Sequence, residues 1–499
     1  MNSSQNIEKI VMGAFLVLSS IILGKLFSYL YIVLVAVKLG SQEYGLLSLG
    51  MATLSLFSAF SLLGLDEGVL RFIPFYKGKN DQKLLKSTIM TSLKTVLNSS
   101  LFFSILIIVF SGFISDKIFN EYELEKVLLF MAIALPFSAV SNIFLVSFRA
   151  FQKPQYEILF KELIEKPLRL IITFILIYLG FKLTGALIGF VLAIMIMLAL
   201  ILITFNKKIF NVFSPDIQQE NKRELLNYSL PLMLKNLVWI IIPWVNLLMI
   251  GYFNATSDVG IYNVALPTAN LIIIPVYGIM YLFLPIISGL YGKNNNEEIK
   301  EIYKKISKYS LLLIMPVFLI ISMLSKDIIS SLFGVDYLSA TLPLTILSFG
   351  YLVFSLSDIS MNMLSVLKKT KTIFSIIFGF GLTNILLNFL LIPKYNILGA
   401  SIATSVSFLI GAVLMIVISN YHTKLHPFMF SYSKILISSI ITIVLTLAIK
   451  NKISFSPMIN LVVFAAIILS VYSFLVFVFR ILEKEDIELL MMIKRKFIK

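Results

Sequence analysis

Fourteen apolar windows follow one another along the chain, separated by short polar stretches, and they limit the possible folds more than any motif does. A helix needs about 20 mostly apolar residues to cross a bilayer core, and only helices or closed barrels satisfy every backbone polar group there. The windows are residues 10–38, 46–65, 88–114, 127–147, 168–181, 184–206, 229–252, 260–288, 309–324, 340–366, 373–392, 397–419, 435–449 and 458–479; the fifth, ninth and thirteenth are short. An all-α polytopic membrane protein of about fourteen transmembrane helices is therefore expected. Composition agrees, because a chain 59% hydrophobic and 14% charged would leave a soluble protein with more apolar surface than it could bury. The first window is too long for a signal-peptide core and lacks a small-residue cleavage pattern, so it is predicted to be a retained span. With no cysteine, the chain excludes disulfides, thiolate catalysis and cysteine-ligated metal centres.

The formal net charge of +16 raises the question of a nucleic-acid partner, and the placement of the basic residues answers it. An even number of spans puts both termini on one side, and short cytoplasmic loops collect Lys and Arg. With the termini inside, 31 of the 42 basic residues fall in inner segments, 8 in outer loops, and 3 within spans: Lys25, Lys94 and Lys235. The charge is thus mainly a topology signal, and it predicts a multi-pass protein of the cytoplasmic membrane with both termini cytoplasmic. Nucleic acid is not expected as a partner, since the basic residues are scattered over loops that also carry Asp and Glu.

The chain also repeats itself. FYKGKNDQKLLK (75–86) after the second span matches LYGKNNNEEIK (290–300) after the eighth, with Gly78 and Gly292 at an offset of 214. LGSQEYGLLSLGMA (39–52) matches FNATSDVGIYNVALP (253–267), Gly45 and Gly260 standing 215 apart. LGFKLTGALIGFVLA (179–193) aligns with LIPKYNILGASIATS (391–405), Gly185 and Gly399 again 214 apart. Three anchors at an offset of 214–215 predict two six-span repeats, and an even number of spans makes them parallel, related by an axis along the membrane normal. The expected organisation is an N-lobe of helices 1–6 (1–210), a C-lobe of helices 7–12 (211–425), and helices 13–14 with a basic cytoplasmic tail (426–499). Paired repeats of this kind enclose a cavity in transporters.

The LG-x-x-EYG turn, GLDEGVLRFIPFY (64–76), LFGVDYLSA (332–340) and NILLNFLLIPKYNILGASIAT (384–404) carry a family likeness. Along essentially its whole length the chain resembles the polysaccharide-transport (Wzx-type) flippases of the multidrug/oligosaccharidyl-lipid/polysaccharide superfamily. The resemblance implies export of undecaprenyl- or dolichyl-linked glycans across the cytoplasmic membrane, the sugar headgroup passing through a cavity between two six-helix lobes. It also implies contact with membrane lipids, and polysaccharide polymerase or glycosyltransferase partners.

Polar residues within spans mark the expected path. A lysine at the centre of a span costs about 2.5–3.5 kcal/mol on insertion scales, so Lys25 should face protein or water. Lys25, Lys94 and Lys235 are expected to make the cavity cationic and to attract a diphosphate or acidic sugars. For Lys25 the competing structural role is an ion pair with Asp358 or a bond to a helix carbonyl, while Lys94 and Lys235 sit near span ends, where long side chains snorkel. Helical spacing groups Lys94 with Ser87, Thr91 and Asn98, and Asp358 with Tyr351, Ser355, Asn362 and Ser365. Trp239 lies one turn beyond Lys235 on a span interrupted by Pro231 and Pro243. Arg71, beside Asp66 and Glu67, is a candidate phosphate ligand or lobe latch; Arg149 has the plainer role of a loop charge. Asn384 and Asn388, one turn apart, are expected to bond between helices. His422 and His426 have metal-ligand spacing but no third ligand nearby, so no metal site is expected.

No G-x-x-x-x-G-K-[ST], HExxH or G-x-S-x-G constellation is present, and an enzyme is not expected. No cofactor is expected apart from a coupling proton or sodium ion, with Asp358 as the coupling candidate. Two alternatives remain at this level. One is a cation-coupled exporter of drugs or organic cations from the same superfamily, disfavoured because the span interiors carry three lysines against one acid. The other is a membrane scaffold or scramblase.

Overall fold

The computed structural model describes residues 3–211, 222–292, 296–426, 429–453 and 455–482, with backbone alone for 3–18, 234–242 and parts of 278–296. Among the described residues the regular structure is entirely helical. The helices are α1 (Ser3–Leu62), α2 (Leu65–Gly78), α3 (Gln82–Phe113), α4 (Leu124–Ala150), α5 (Pro154–Ile158), α6 (Lys166–Tyr178), α7 (Lys182–Lys208) and α8 (Lys222–Phe253). They continue as α9 (Thr256–Asn270), α10 (Ile274–Gly292), α11 (Asn296–Met323), α12 (Ser325–Leu332), α13 (Thr341–Val366), α14 (Thr370–Thr423), α15 (Phe430–Lys450) and α16 (Pro457–Val478). Ten helices among the described residues are long and apolar enough to cross a membrane.

Two of these ten are far longer than one crossing requires. α1 has 60 residues and α14 has 54. At about 1.5 Å per residue each exceeds a bilayer core of about 30 Å at least twofold. Each is broken once: α1 at Gly40 (φ 80°, ψ 173°) and α14 at Asn396 (φ 51°, ψ −133°). Positive φ is open to glycine and tolerated by asparagine, so the residue types fit the breaks. Both breaks fall in segments that anchor the sequence repeat, LGSQEYG and IPKYNILG.

The chain forms two compact units. One comprises Met1–Val264 with Gly381–Ala400, the other Ala265–Phe380 with Ser401–Lys499. In the first unit, α4 packs against α3, α7 and α1, and α6 packs against α7 and α1. Lipid offers no hydrophobic drive for helices to associate, so close approach depends on small residues and interhelical hydrogen bonds. A Cβ at Gly50 would overlap Val127, one at Gly189 would overlap Thr173, and one at Gly68 would overlap the hydroxyl of Ser229. An aromatic core of Phe144, Phe148, Phe160 and Phe205 fills the space between α4 and α7, with ring centroids 5.1–5.7 Å apart.

In the second unit, α11 packs on α10, α13 and α15, and α16 lies against α15 and α12. A polar clasp secures the last two helices: Lys450 at the end of α15 pairs with Asp327 of α12 at 2.5 Å, and Asn460 of α16 donates to the same carboxylate at 3.2 Å. The Tyr472 hydroxyl donates to the Leu312 carbonyl at 3.2 Å, tying α16 to α11.

Candidate functional site

The lysine that stands alone in the first apolar run is not alone in the fold. Between α5 and α6, Leu159–Glu165 forms a π-helical segment, and these three pieces make one continuous helix. Such π insertions are rare and concentrate at functional sites, because the extra residue re-aims the side chains around it. This segment and the start of α6 carry Lys161, Glu162, Glu165, Lys166 and Arg169. Their spacing of four supports two ion pairs: Lys166 with Glu162, and Arg169 with Glu165 at 3.4 Å. All four side chains are mostly buried, 13–16% exposed. Lys25, on α1, lies within electrostatic reach of Lys166, Glu162 and Lys161.

The approach of α1 to this segment depends on Gly24, whose missing side chain leaves the space that the Glu162 carboxylate fills. Arg169 is stacked over the Tyr31 ring of α1 at 4.6 Å and lies 5.7 Å from the Phe190 ring of α7. Desolvated cation–π contacts of this kind are worth about 2 kcal/mol. They hold the guanidinium in place, which leaves its Nε buried without a hydrogen-bond partner.

Beside this cluster lies a cavity of about 480 Å³. Its lining includes Lys161, Glu165 and Arg169 together with Ser58, Asn142 and Trp244 of α8. The Asn142 Oδ1 and the Ser141 Oγ are buried there without partners. The cluster places four cations (Lys25, Lys161, Lys166, Arg169) against two carboxylates. With hydroxyls and an amide at its edge, this site attracts an anion and offers hydrogen bonds to hydroxyl-rich groups. Where the same helix begins, outside the spans, Arg149 meets Glu157 at 3.6 Å. Burial raises the Glu157 carboxyl above its usual range, an effect Arg149 and then Lys161 oppose.

The residues singled out from sequence do not all converge here. Lys94 and Asn98 lie on an exposed face of α3 that continues into exposed Leu101 and Ile105, apart from the cavity wall. Arg71 is exposed on α2 and stacks over the Tyr228 ring of α8 at 4.1 Å. Lys235 and Trp239 fall on α8, where their side chains lie outside the described residues.

Asp358 and Asn362 sit on α13 in the second unit. The Asn362 amide donates to the Asp358 carbonyl at 2.9 Å and reaches the Met280 sulfur at 3.8 Å, and Asp358 interacts electrostatically with Tyr277. Ser355 and Ser365 on the same stripe bond back to carbonyls of their own helix. Such bonds to the helix's own carbonyls occupy the hydroxyl protons of both serines. Asn388 donates to Asn246 of α8 at 2.6 Å and to Asn384 at 3.0 Å, and Asn246 donates to the Tyr262 hydroxyl at 3.2 Å, a buried network between helices.

Hydropathy starts the fifth span at residue 168, so Lys161, Glu162, Glu165 and Lys166 read as loop charges and only Arg169 falls inside the window. The signal was available: Lys161, Glu165 and Arg169 are spaced i, i+4, i+8, and Glu162 and Lys166 i, i+4.

Comparison with known proteins agrees with this architecture. Residues 10–291 match the family described as "Polysaccharide biosynthesis protein", and residues 231–390 match MatE. An uncharacterized membrane protein of Methanocaldococcus jannaschii is 26% identical over 427 residues, 82% of this chain and 83% of its own length. The probable low-salt glycan biosynthesis flippase Agl15 of Haloferax volcanii is 27% identical over 221 residues, 43% of this chain and 45% of its own. Among solved structures, the lipid II flippase MurJ in an inward closed conformation superposes with a TM-score of 0.73 at 17% identity, covering 93% of this chain and 99% of that one. An inward-facing multidrug transporter of the MATE family gives 0.68 at 16% identity, covering 80% and 94%. With more than half of its length matched, the chain belongs to the polysaccharide biosynthesis protein family and is a membrane flippase of the multidrug/oligosaccharidyl-lipid/polysaccharide superfamily, not an enzyme.

Proposed function

We propose that this flippase moves a lipid-diphosphate-linked oligosaccharide across the cytoplasmic membrane by alternating access, for assembly of a cell-surface polysaccharide or glycan. The observation that carries the reading is the cation excess around Lys25 and the π-helical segment, beside a cavity edged with hydroxyls and an amide. A diphosphate supplies the matching anion, and the sugars supply hydroxyls for Asn142 and the serines. Similar proteins support it: one is a probable glycan biosynthesis flippase, and the structural neighbour MurJ is a lipid II flippase.

In this proposal α1 and α14 each cross the membrane twice at their breaks, the chain crosses fourteen times in two parallel six-helix repeats plus two helices, and both termini are cytoplasmic. Lys25 is the cation common to the sequence reading and the cluster. Arg71, Lys94, Asn98, Lys235 and Trp239 belong to other stages of the path, and Asp358 with Asn362 to a proton- or sodium-coupling site. Polymerases or glycosyltransferases that build the glycan are the proposed partners.

Proteoliposomes offered a sugar-labelled polyprenyl-diphosphate oligosaccharide, or instead a lipophilic organic cation, test the reading. Exposure of the labelled sugar on the far leaflet is expected without movement of the cation. Movement of the cation alone would reinstate the exporter alternative, which the cation excess of the site disfavours.

A further inference from the structure

The two ion pairs of the continuous α5–α6 helix are built alike, each four residues apart, but they stand in different surroundings. Glu162 is wedged against α1, in the notch that Gly24 leaves. Glu165 and Arg169 both line the cavity of about 480 Å³, so their pair opens onto the space a ligand would fill. It is also a loose pair: the carboxylate lies 3.4 Å from Nη1 of Arg169, beyond the about 2.7–2.9 Å of a charge-assisted hydrogen bond. The guanidinium does not need Glu165 to stay where it is, because the rings of Tyr31 and Phe190 hold it at 4.6 and 5.7 Å. Its Nε is buried without a partner, leaving a donor of the planar fork for a second oxygen of a phosphate. Lys161, four residues before Glu165, lines the same cavity and offers a displaced carboxylate another cation.

We infer that Glu165 is a displaceable counter-ion: it neutralises Arg169 while the site is empty, yields the guanidinium to the phosphate oxygens of the substrate, and reclaims it when the substrate leaves. The inference rests on the proposed lipid-diphosphate substrate and adds how the bound anion is let go. Without Glu165, Lys161 and Arg169 would face the cavity as two unopposed cations, and in a low-dielectric site their hold on an anion would be strong. Binding that is equally strong at every stage lowers the concentration needed for saturation and does nothing for turnover. A carboxylate that competes for the same guanidinium throughout the cycle weakens that hold and lowers the barrier to release.

The test compares binding with transport. The purified chain in detergent is titrated with polyprenyl diphosphate, and proteoliposomes report movement of the labelled polyprenyl-diphosphate oligosaccharide. Glu165→Gln is expected to bind the diphosphate about tenfold more tightly than wild type, and to transport with a lower half-saturating concentration and a maximal rate reduced several-fold. Weaker binding would show that the carboxylate only positions Arg169, and unchanged binding that it does not compete; either result overturns the inference. Glu162→Gln removes the same charge from the wedged pair and should change binding by less than about threefold. Tightening equal to that of Glu165→Gln would reduce the effect to net charge and also overturn it. If Glu165→Gln does not fold, Glu165→Asp, which draws the charge back from Arg169 by one methylene, should tighten binding about two- to threefold, and unchanged binding there counts against the inference equally. Inorganic pyrophosphate separates this inference from the substrate reading, because it carries the charge without lipid or sugar. It should raise the thermal midpoint of Glu165→Gln more than that of wild type. That result without movement of the glycan would sustain the counter-ion and refute the glycan reading; movement of the glycan with equal midpoint shifts would do the reverse.

Discussion

Neutralising Lys25 gives the sharpest test of the anionic-substrate reading. Two unit charges at about 6 Å, with an effective dielectric near 20, attract by about 3 kcal/mol. Lys25 is only partly buried and two carboxylates already share the cluster, so screening reduces its effect on a bound diphosphate to about 1–1.5 kcal/mol. That corresponds to about a five- to tenfold rise in the substrate concentration needed for half-maximal transport. In proteoliposomes, Lys25→Gln should show this rise, Lys25→Arg should stay within twofold of wild type, and Lys25→Glu should nearly abolish transport. The deficit of Lys25→Gln should shrink as salt is raised, because wild type loses the screened attraction. Removing a charge from a span also removes an insertion penalty, so the melting temperature of Lys25→Gln should not fall. Unaltered transport by a correctly inserted Lys25→Gln at low salt would refute the electrostatic argument.

Gly24→Ala places a methyl group where the Glu162 carboxylate lies, so a loss of about 1–3 kcal/mol is expected, read as a lower thermal midpoint in detergent; an unshifted midpoint would mean that the helices do not meet there. At the clasp of the last two helices, Asp327→Asn or Lys450→Met alone should cost about 1–3 kcal/mol, since each strands a partly buried charge, while the double variant should recover most of it in a denaturation cycle. Additive losses would show the pair to be uncoupled. Asn388→Leu should cost about 1 kcal/mol by breaking the bond to Asn246, measured by thermal unfolding against the same change at a lipid-facing position. For coupling, Asp358→Asn should remove the dependence of transport on a proton or sodium gradient; retained dependence would exclude that carboxylate.

Much of the architecture was legible in the sequence because the bilayer makes each helix satisfy its own backbone. Span-length apolar windows therefore became helices, and the breaks at Gly40 and Asn396 fell within the repeated segments, since residues that tolerate positive φ are visible one at a time. The site was less legible. Hydropathy averages over a window, so Lys161, Glu162, Glu165 and Lys166 push the start of the fifth span to residue 168 and read as loop, with Arg169 at its edge. On α13 the period places Ser355 and Ser365 on one stripe but does not tell that each hydroxyl also bonds to a carbonyl of its own helix.

By itself the sequence determined that this is a polytopic helical membrane protein and that its first apolar run holds a lysine that lipid would not accept. These are properties of single segments against a uniform solvent, so local composition suffices. Only the tertiary structure decided what Lys25 meets. Its neighbours come from a π-helical segment distant in sequence, and they reach it because Gly24 leaves room for a carboxylate. The close approach of α1 and α9, where a Cβ at Gly45 would overlap the Thr256 carbonyl, was decided in the same way. Contacts of this kind depend on two surfaces fitting at one point, and neither segment carries that information alone.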